Sequence, residues 1–131
     1  MVMGRNTFET VCGFDIEWPY KIPVYVLSKT LSEIPNTYKD KVFLVNGSLN
    51  EVIADIHKEG HFQLYIDGGA TIQSFLKEDL IDDLIITTIP IILGGGTPLF
   101  TLLNNELNFD LIASDVYLNQ LVQSSYSRKR E

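Results

Sequence analysis

The stretch that most constrains this chain is Leu64-Tyr65-Ile66-Asp67-Gly68-Gly69-Ala70-Thr71-Ile72. An apolar run, Phe62 to Ile66, stops at two glycines. Ile72, Phe75, Leu76 and Leu80 then recur at the spacing of one helical face. The pattern predicts a strand, a tight turn and a helix N-terminus. Glycine lets backbone approach a ligand closely because no Cβ intervenes. The amides of a first helical turn, with the helix dipole behind them, favour an anion. The stretch is therefore either a phosphate- or pyrophosphate-binding turn or simply a tight strand-to-helix connection. A short glycine-rich turn does not by itself separate the two.

A second junction of the same kind opens the chain. Met1 to Met3 are apolar and run into Gly4-Arg5-Asn6-Thr7-Phe8-Glu9, again a strand end followed by helix-compatible residues. Arg5 and Thr7 fall in the first turn of that helix. An arginine there could pair with a phosphate bidentately and the threonine hydroxyl could add a hydrogen bond. Equally, they could be a surface arginine and a capping threonine. Val24-Tyr25-Val26-Leu27 is a β-rich run ending at Ser28-Lys29. A hydroxyl and an ammonium just past a strand's carboxyl end sit where open α/β sheets hold ligands, or else on a solvated loop. Between these segments, Cys12 to Pro23 has no period and reads as a loop. Its Trp18 and Tyr20 either close over a flat ligand or anchor the loop on the core.

Further along, Val42 to Val45 predicts a strand. Ser48-Leu49-Asn50-Glu51 predicts a capping box, and the helix it starts runs on to a stop at Gly60. His57 and His61 flank that helix end and read as dipole partners or surface residues. Leu84 to Leu93 is the longest apolar run and predicts a buried strand, bent or ended at Pro90. The following Gly94-Gly95-Gly96-Thr97-Pro98-Leu99-Phe100 predicts a turn into a short helical piece at Phe100 to Leu103. The triple glycine could line a ligand, pack against a partner subunit or make an ordinary loop. Leu107 to Leu118 and Leu121 to Tyr126 read as a hairpin turning at Asn119-Gln120. Strands alternate with helices first and a hairpin follows. That order implies an α/β fold, with a mostly parallel sheet and an antiparallel C-terminal hairpin.

Length and composition narrow the class. A chain of 131 residues, 45% hydrophobic and 21% charged, suits a single globular domain spanning residues 1–131. A net charge of −7 argues against nucleic acid and anionic membranes as partners. Arg128-Lys129-Arg130 is the basic cluster of the chain and reads as a solvated tail. Cys12 is the one cysteine, which fits a reducing cytoplasm, and no metal-ligand spacing appears. The N-terminus lacks the apolar core of a signal peptide, and the Leu84–Leu93 run is shorter than the roughly 20 residues a membrane span needs.

In order and spacing these segments resemble the dihydrofolate reductase-like family. Met3-Gly4-Arg5-Asn6-Thr7-Phe8-Glu9 is similar to its M-G-R-x-T-[FWY]-E segment, Leu27-Ser28 to the strand end beside the adenosine, and Ile66 to Ile72 to its Gly-Gly turn. Ile89 to Phe100, with the pattern P-x-x-x-G-G-G-x-P-L-F, more closely resembles the reductase domain of riboflavin biosynthesis, as does the closing strand from Leu121 to Arg128. The resemblance implies an NADPH-dependent reductase that passes a hydride to a small pterin-like or pyrimidine substrate. It implies that Gly4, Arg5, Asn6 and Thr7 face the pyrophosphate and the 2′-phosphate. Leu27, Ser28 and Lys29 would border the adenosine. Ile66, Asp67, Gly68, Gly69, Ala70, Thr71 and Ile72 would cover the pyrophosphate and approach the nicotinamide. Where the site is kept, the resemblance also implies a cis peptide between Gly68 and Gly69. No catalytic acid is assigned; Asp67 could donate a proton or bind the turn amides.

Two departures from the family pattern stand out. Asn6 replaces its usual lysine or histidine, which removes a positive charge near the phosphates and loosens the preference for NADPH over NADH. The family's N-terminal strand, loop and helix, which carry much of the substrate pocket, have no counterpart before Met3. Three outcomes follow for the place of that strand. The strands at 62–66 and 84–89 pair with each other, a second chain fills the slot, or the chain is a truncated product. A nucleotide-binding remnant without catalysis is the alternative function. The apolar Ile89–Leu93 segment and the triple glycine, where riboflavin-type relatives commonly pair, imply a homodimer.

Overall fold

The computed structural model describes residues Met1–Glu131. In chain order the elements are β1 (Val2–Gly4), α1 (Arg5–Cys12), β2 (Val24–Leu27), β3 (Val42–Val45), α2 (Leu49–Lys58) and β4 (Ile66–Asp67). Then come α3 (Gly69–Lys77), β5 (Asp83–Thr88), β6 (Phe109–Tyr117) and β7 (Leu121–Arg128). The chain forms two compact units, Met1–Ile72 and Gln73–Glu131.

The first unit is built on a four-stranded parallel sheet in the order β3-β2-β1-β4. Its strands are short and apolar on both faces, as a sheet covered on both sides requires. Met3, Val24, Val26 and Val42 join Phe8 of α1 and Ile34 in one buried cluster. Val2 and Tyr25, the alternate residues, are buried on the opposite face. There the Tyr25 hydroxyl donates to Glu59 Oε2 at 2.5 Å, just past the end of α2. Burial, and then the Glu59 carboxylate, push the Tyr25 phenol up to about 12. The predicted capping box is present: Ser48 Oγ accepts from the Glu51 amide and Glu51 Oε2 accepts from the Ser48 amide. Gly60, at φ 92°, ends the helix, with the Gly60 amide on the His57 carbonyl and the His61 amide on the Ile56 carbonyl.

The second unit carries an antiparallel sheet in the order β5-β7-β6, with a bulge between Leu111 and Ala113. Its anchor is Arg128, whose Nε and Nη2 donate to the two carboxylate oxygens of Asp79 at 2.7 and 3.0 Å. Arg128 Nη1 also donates to the Asn108 carbonyl, and Arg130 pairs with Asp82 at 2.6 Å. Asp79 itself sits at φ 53°, a left-handed conformation that aspartate tolerates better than most residues. The basic cluster expected as a solvated tail is therefore the clasp of this unit. Bidentate pairing draws guanidinium groups to carboxylates that the sequence places about fifty positions away.

The mixed architecture expected from the sequence is present, with the parallel and antiparallel strands in separate ladders. Pairing of the strands near 62–66 and 84–89 does not occur: β4 pairs with β1, and β5 pairs with β7. The first of these strands is also shorter than expected, Ile66–Asp67, because only those residues align with β1. The run from Leu84 to Leu93 is not a buried strand. β5 ends at Thr88, and Ile85, Ile89, Ile91, Ile92 and Leu93 are exposed. Phe100 to Leu103 is not helical. The hairpin turns one residue early, with positive φ at Leu118 (52°) and Asn119 (55°).

The Asp79–Arg128 contact makes a pH prediction. The Arg128 guanidinium holds the Asp79 carboxyl below its ordinary range. A lowered folded-state value contributes stability above the unfolded carboxylate pKa, about 3.9, which is lost as pH falls through the lower folded value. Denaturant titrations should show wild-type stability falling below about pH 4 more steeply than that of Asp79→Asn. Parallel acid profiles would contradict this.

Candidate cofactor site

Parallel pairing sets the carboxyl ends of three strands level. Gly4 of β1 lies opposite Leu27 of β2, and Met3 lies opposite Asp67 of β4. From β1 the chain winds outward through β2 to β3, then crosses back to place β4 on the other side of β1. The winding direction thus reverses between β1 and β4. In open α/β sheets the crevice outside the strand ends at such a reversal is where ligands sit.

The two glycine-led junctions meet at this crevice and fit one another reciprocally. A Cβ on Gly4 would lie 2.8 Å from Thr71 Oγ1, and a Cβ on Gly68 would lie 2.5 Å from Thr7 Oγ1. Each helix start therefore supplies a threonine that fills the space left by the other junction's missing side chain. Gly68 also has φ 92°, open to glycine and strained for other residues. That positive φ makes the turn. The Gly68–Gly69 peptide is trans, since the chain has no cis bond, which corrects the expectation of a cis link there.

Every site residue expected from the sequence lies in the first unit, 1–72. Gly4 caps α1 without a side chain, so no side-chain acceptor occupies the amides of that first turn. Thr71 is buried, Ile66 and Asp67 are half-buried, and Gly69 and Ala70 are exposed at the start of α3. The Ile72 amide makes a helical bond to the Gly68 carbonyl at 2.9 Å. Asp67 Oδ1 accepts from the Gly68 amide at 3.0 Å, the turn-binding role rather than a free acid. Leu27 ends β2, and Lys29 is exposed beyond it. Ser28 is buried, and its Oγ accepts from the amides of Thr30 and Leu31 at 3.2 and 3.0 Å, so it shapes the turn. Asn6 is exposed, and its carbonyl accepts from Thr10 Oγ1.

Arg5 reaches from α1 to this turn. Its Nη1 donates to Thr30 Oγ1 at 2.8 Å and its Nε to Glu9 Oε1 at 2.7 Å. Sequence reasoning named Arg5 but missed Glu9 and Thr30 as its partners. The i,i+4 spacing of Arg5 and Glu9 was the available signal for one; nothing local signalled Thr30. Trp18 and Tyr20 are loop anchors. Trp18 meets Phe8 and Tyr38 at ring distances of 6.2 and 5.0 Å, and Tyr20 meets Trp18 at 5.2 Å. Burial first, then the nearby Asp67 carboxylate, push the Tyr20 phenol up.

A parallel sheet whose winding reverses where two glycine-led helix starts meet defines an open α/β class. Within that class the chain belongs to the RibD C-terminal domain family, whose pattern matches residues 1–123. It is 35% identical over 131 residues to the uncharacterised protein YwjB of Bacillus subtilis, covering 98% of this chain and 72% of YwjB. It is 27% identical over 103 residues to YyaP of the same organism, covering 78% of this chain and 53% of YyaP. Among solved structures, a Shewanella sp. PV-4 protein provisionally named for riboflavin biosynthesis superposes with a TM-score of 0.96 at 57% identity. That match covers 98% of this chain and 73% of the other. A pyrimidine reductase-like protein of Corynebacterium diphtheriae shares the fold, with a TM-score of 0.71 at 16% identity, covering 99% of this chain and 75% of its own. No helix is long and apolar enough to cross a membrane.

The reciprocal fit separates two adjacent glycines. Gly68→Ala should lose at least about 1–2 kcal/mol, from the positive φ and the collision with Thr7. Gly69→Ala, which meets nothing within 4 Å, should stay within about 0.5 kcal/mol of wild type. Part of the Gly68→Ala loss should disappear in a Thr7→Ala background. Denaturant unfolding of the four variants checks this, and equal losses at Gly68 and Gly69 would refute it.

Proposed function

We propose that this chain is an NADPH-dependent reductase domain that holds the dinucleotide across the β1–β4 crevice and reduces a pterin-like or pyrimidine substrate. The observation that carries the reading is the interlock of Gly4 with Thr71 and of Gly68 with Thr7. It brings two helix N-termini together at a winding reversal. A pyrophosphate is the anion that suits two such helix starts side by side. Membership of the RibD C-terminal domain family supports the same reading, as do the names of the Shewanella and Corynebacterium proteins.

The residues divide the work. The first-turn amides of α1, with Thr7, bind the pyrophosphate from one side, and the turn from Gly68 to Ile72 covers it from the other. Arg5 reaches toward the end of β2, where Leu27, Ser28 and Lys29 border the adenosine. Asp67 braces the Gly68 turn and so fixes the backbone against which the cofactor lies. The cofactor supplies the hydride; the chain's contribution is orientation. Fluorescence titration with NADPH and NADH tests binding, and NADPH oxidation across pteridine and pyrimidine substrates tests turnover. Arg5→Ala should weaken NADPH more than NADH; equal losses would return Arg5 to a structural or pyrophosphate role. Binding without oxidation of any such substrate would favour the alternative of a nucleotide-binding remnant.

The reading includes a homodimer. The second unit exposes Ile89, Ile91, Ile92, Leu93, Leu99 and Phe100 within one short segment, with Ile92 98% exposed. Such a concentration of apolar surface is unusual on a monomer and marks an association face. Light scattering at micromolar concentration should give twice the chain mass, and a monomer would refute this part.

A further inference from the structure

The rim of the crevice at the end of β2 carries both signs of charge. Arg5 arrives there through Thr30, two residues past the buried Ser28. Glu9, one helical turn on from Arg5, holds the same guanidinium through Oε1 at 2.7 Å. The two groups are half-exposed and lie together on the outer face of α1. At this corner of dinucleotide sites the two charge types have opposite effects. An acidic side chain accepts from a ribose 2′-hydroxyl, whereas an arginine accommodates a 2′-phosphate. Here one carboxylate is fixed against the one guanidinium that reaches the corner.

We infer that Glu9 sets the selectivity of this site between dinucleotides with and without a 2′-phosphate. The inference rests on the cofactor reading above and extends it to a residue that reading does not use. Glu9 takes up the Nε edge of Arg5, and Thr30 takes up one Nη1 hydrogen, so the guanidinium meets a ligand with part of its donor set already engaged. The carboxylate also places a negative charge beside the position of a doubly charged phosphate, while offering Oε2 to a neutral hydroxyl. The net effect is to bring the affinities for NADPH and NADH closer together than Arg5 alone would set them.

Glu9→Gln is the discriminating variant. The amide oxygen keeps the acceptor facing Arg5 Nε and removes the charge. Dissociation constants for NADPH and NADH, measured by fluorescence titration at low and high salt, give the readout. NADPH should bind roughly fivefold to tenfold tighter to Glu9→Gln, with NADH unchanged or slightly weaker, and the gain should shrink as salt rises. The melting temperature of the unliganded variant should stay within about 2 °C of wild type, as for other exposed i,i+4 pairs. Weaker NADPH binding with NADH unchanged would make Glu9 a positioning residue for Arg5 and overturn the inference. So would equal changes for both cofactors. If wild type and variant bind neither dinucleotide, the cofactor reading itself fails and takes this inference with it. That result is distinct from altered selectivity at a working site.

Discussion

The first unit depends on two threonines and two glycines that complete one another. A strand-to-helix junction with glycine leaves a gap where a side chain would stand, and proteins rarely leave gaps of that size unfilled. Here Thr71 closes the gap at Gly4, and Thr7 closes the gap at Gly68. The fit locks β1 to β4 at their carboxyl ends, beyond the two ladder residues that β4 contributes. Hydroxyl groups, rather than methyls alone, line the meeting point.

Charge at the rim follows a different logic. The chain as a whole is acidic, with a net charge of −7, and the crevice does not reverse this with a cluster of cations. In the proposed reading, recognition of an anion falls to backbone amides, which carry no net charge and need no counter-ion, and to Arg5, which is already paired. A site of this kind binds through geometry more than through field strength. The second unit uses its charges structurally. Arg128 and Arg130 close the end of the antiparallel sheet on Asp79 and Asp82, and the unit leaves a long apolar surface exposed.

Much of the first unit was legible because its signals are local. The capping box at Ser48 and Glu51, the stop at Gly60 and the β-branched run at Val24 to Leu27 each depend on residues within a few positions of one another. Both glycine junctions were legible for the same reason. The second unit was less legible where apolar content misled. Leu84 to Leu93 is apolar enough for a buried strand, yet its ladder ends at Thr88 and the rest is exposed. Apolar sequence specifies burial against something, and nothing in one chain's sequence says whether that something is the same chain. The cis peptide that the family pattern implied at Gly68-Gly69 is not present: the bond is trans, and Gly68 has φ 92°.

The sequence by itself determined most of the first unit's elements, the two glycine-led helix starts and the family, because propensity, capping and motif order are properties of short segments. Tertiary structure alone decided that the two starts face each other, that Gly4 needs Thr71 and Gly68 needs Thr7, and that Arg5 is held between Glu9 and Thr30. It also decided that the parallel and antiparallel strands form separate ladders. These outcomes turn on which strand lies beside which and in what register. A chain settles those choices only when distant segments compete for the same neighbours and the pairing that buries the most surface while satisfying its backbone groups prevails.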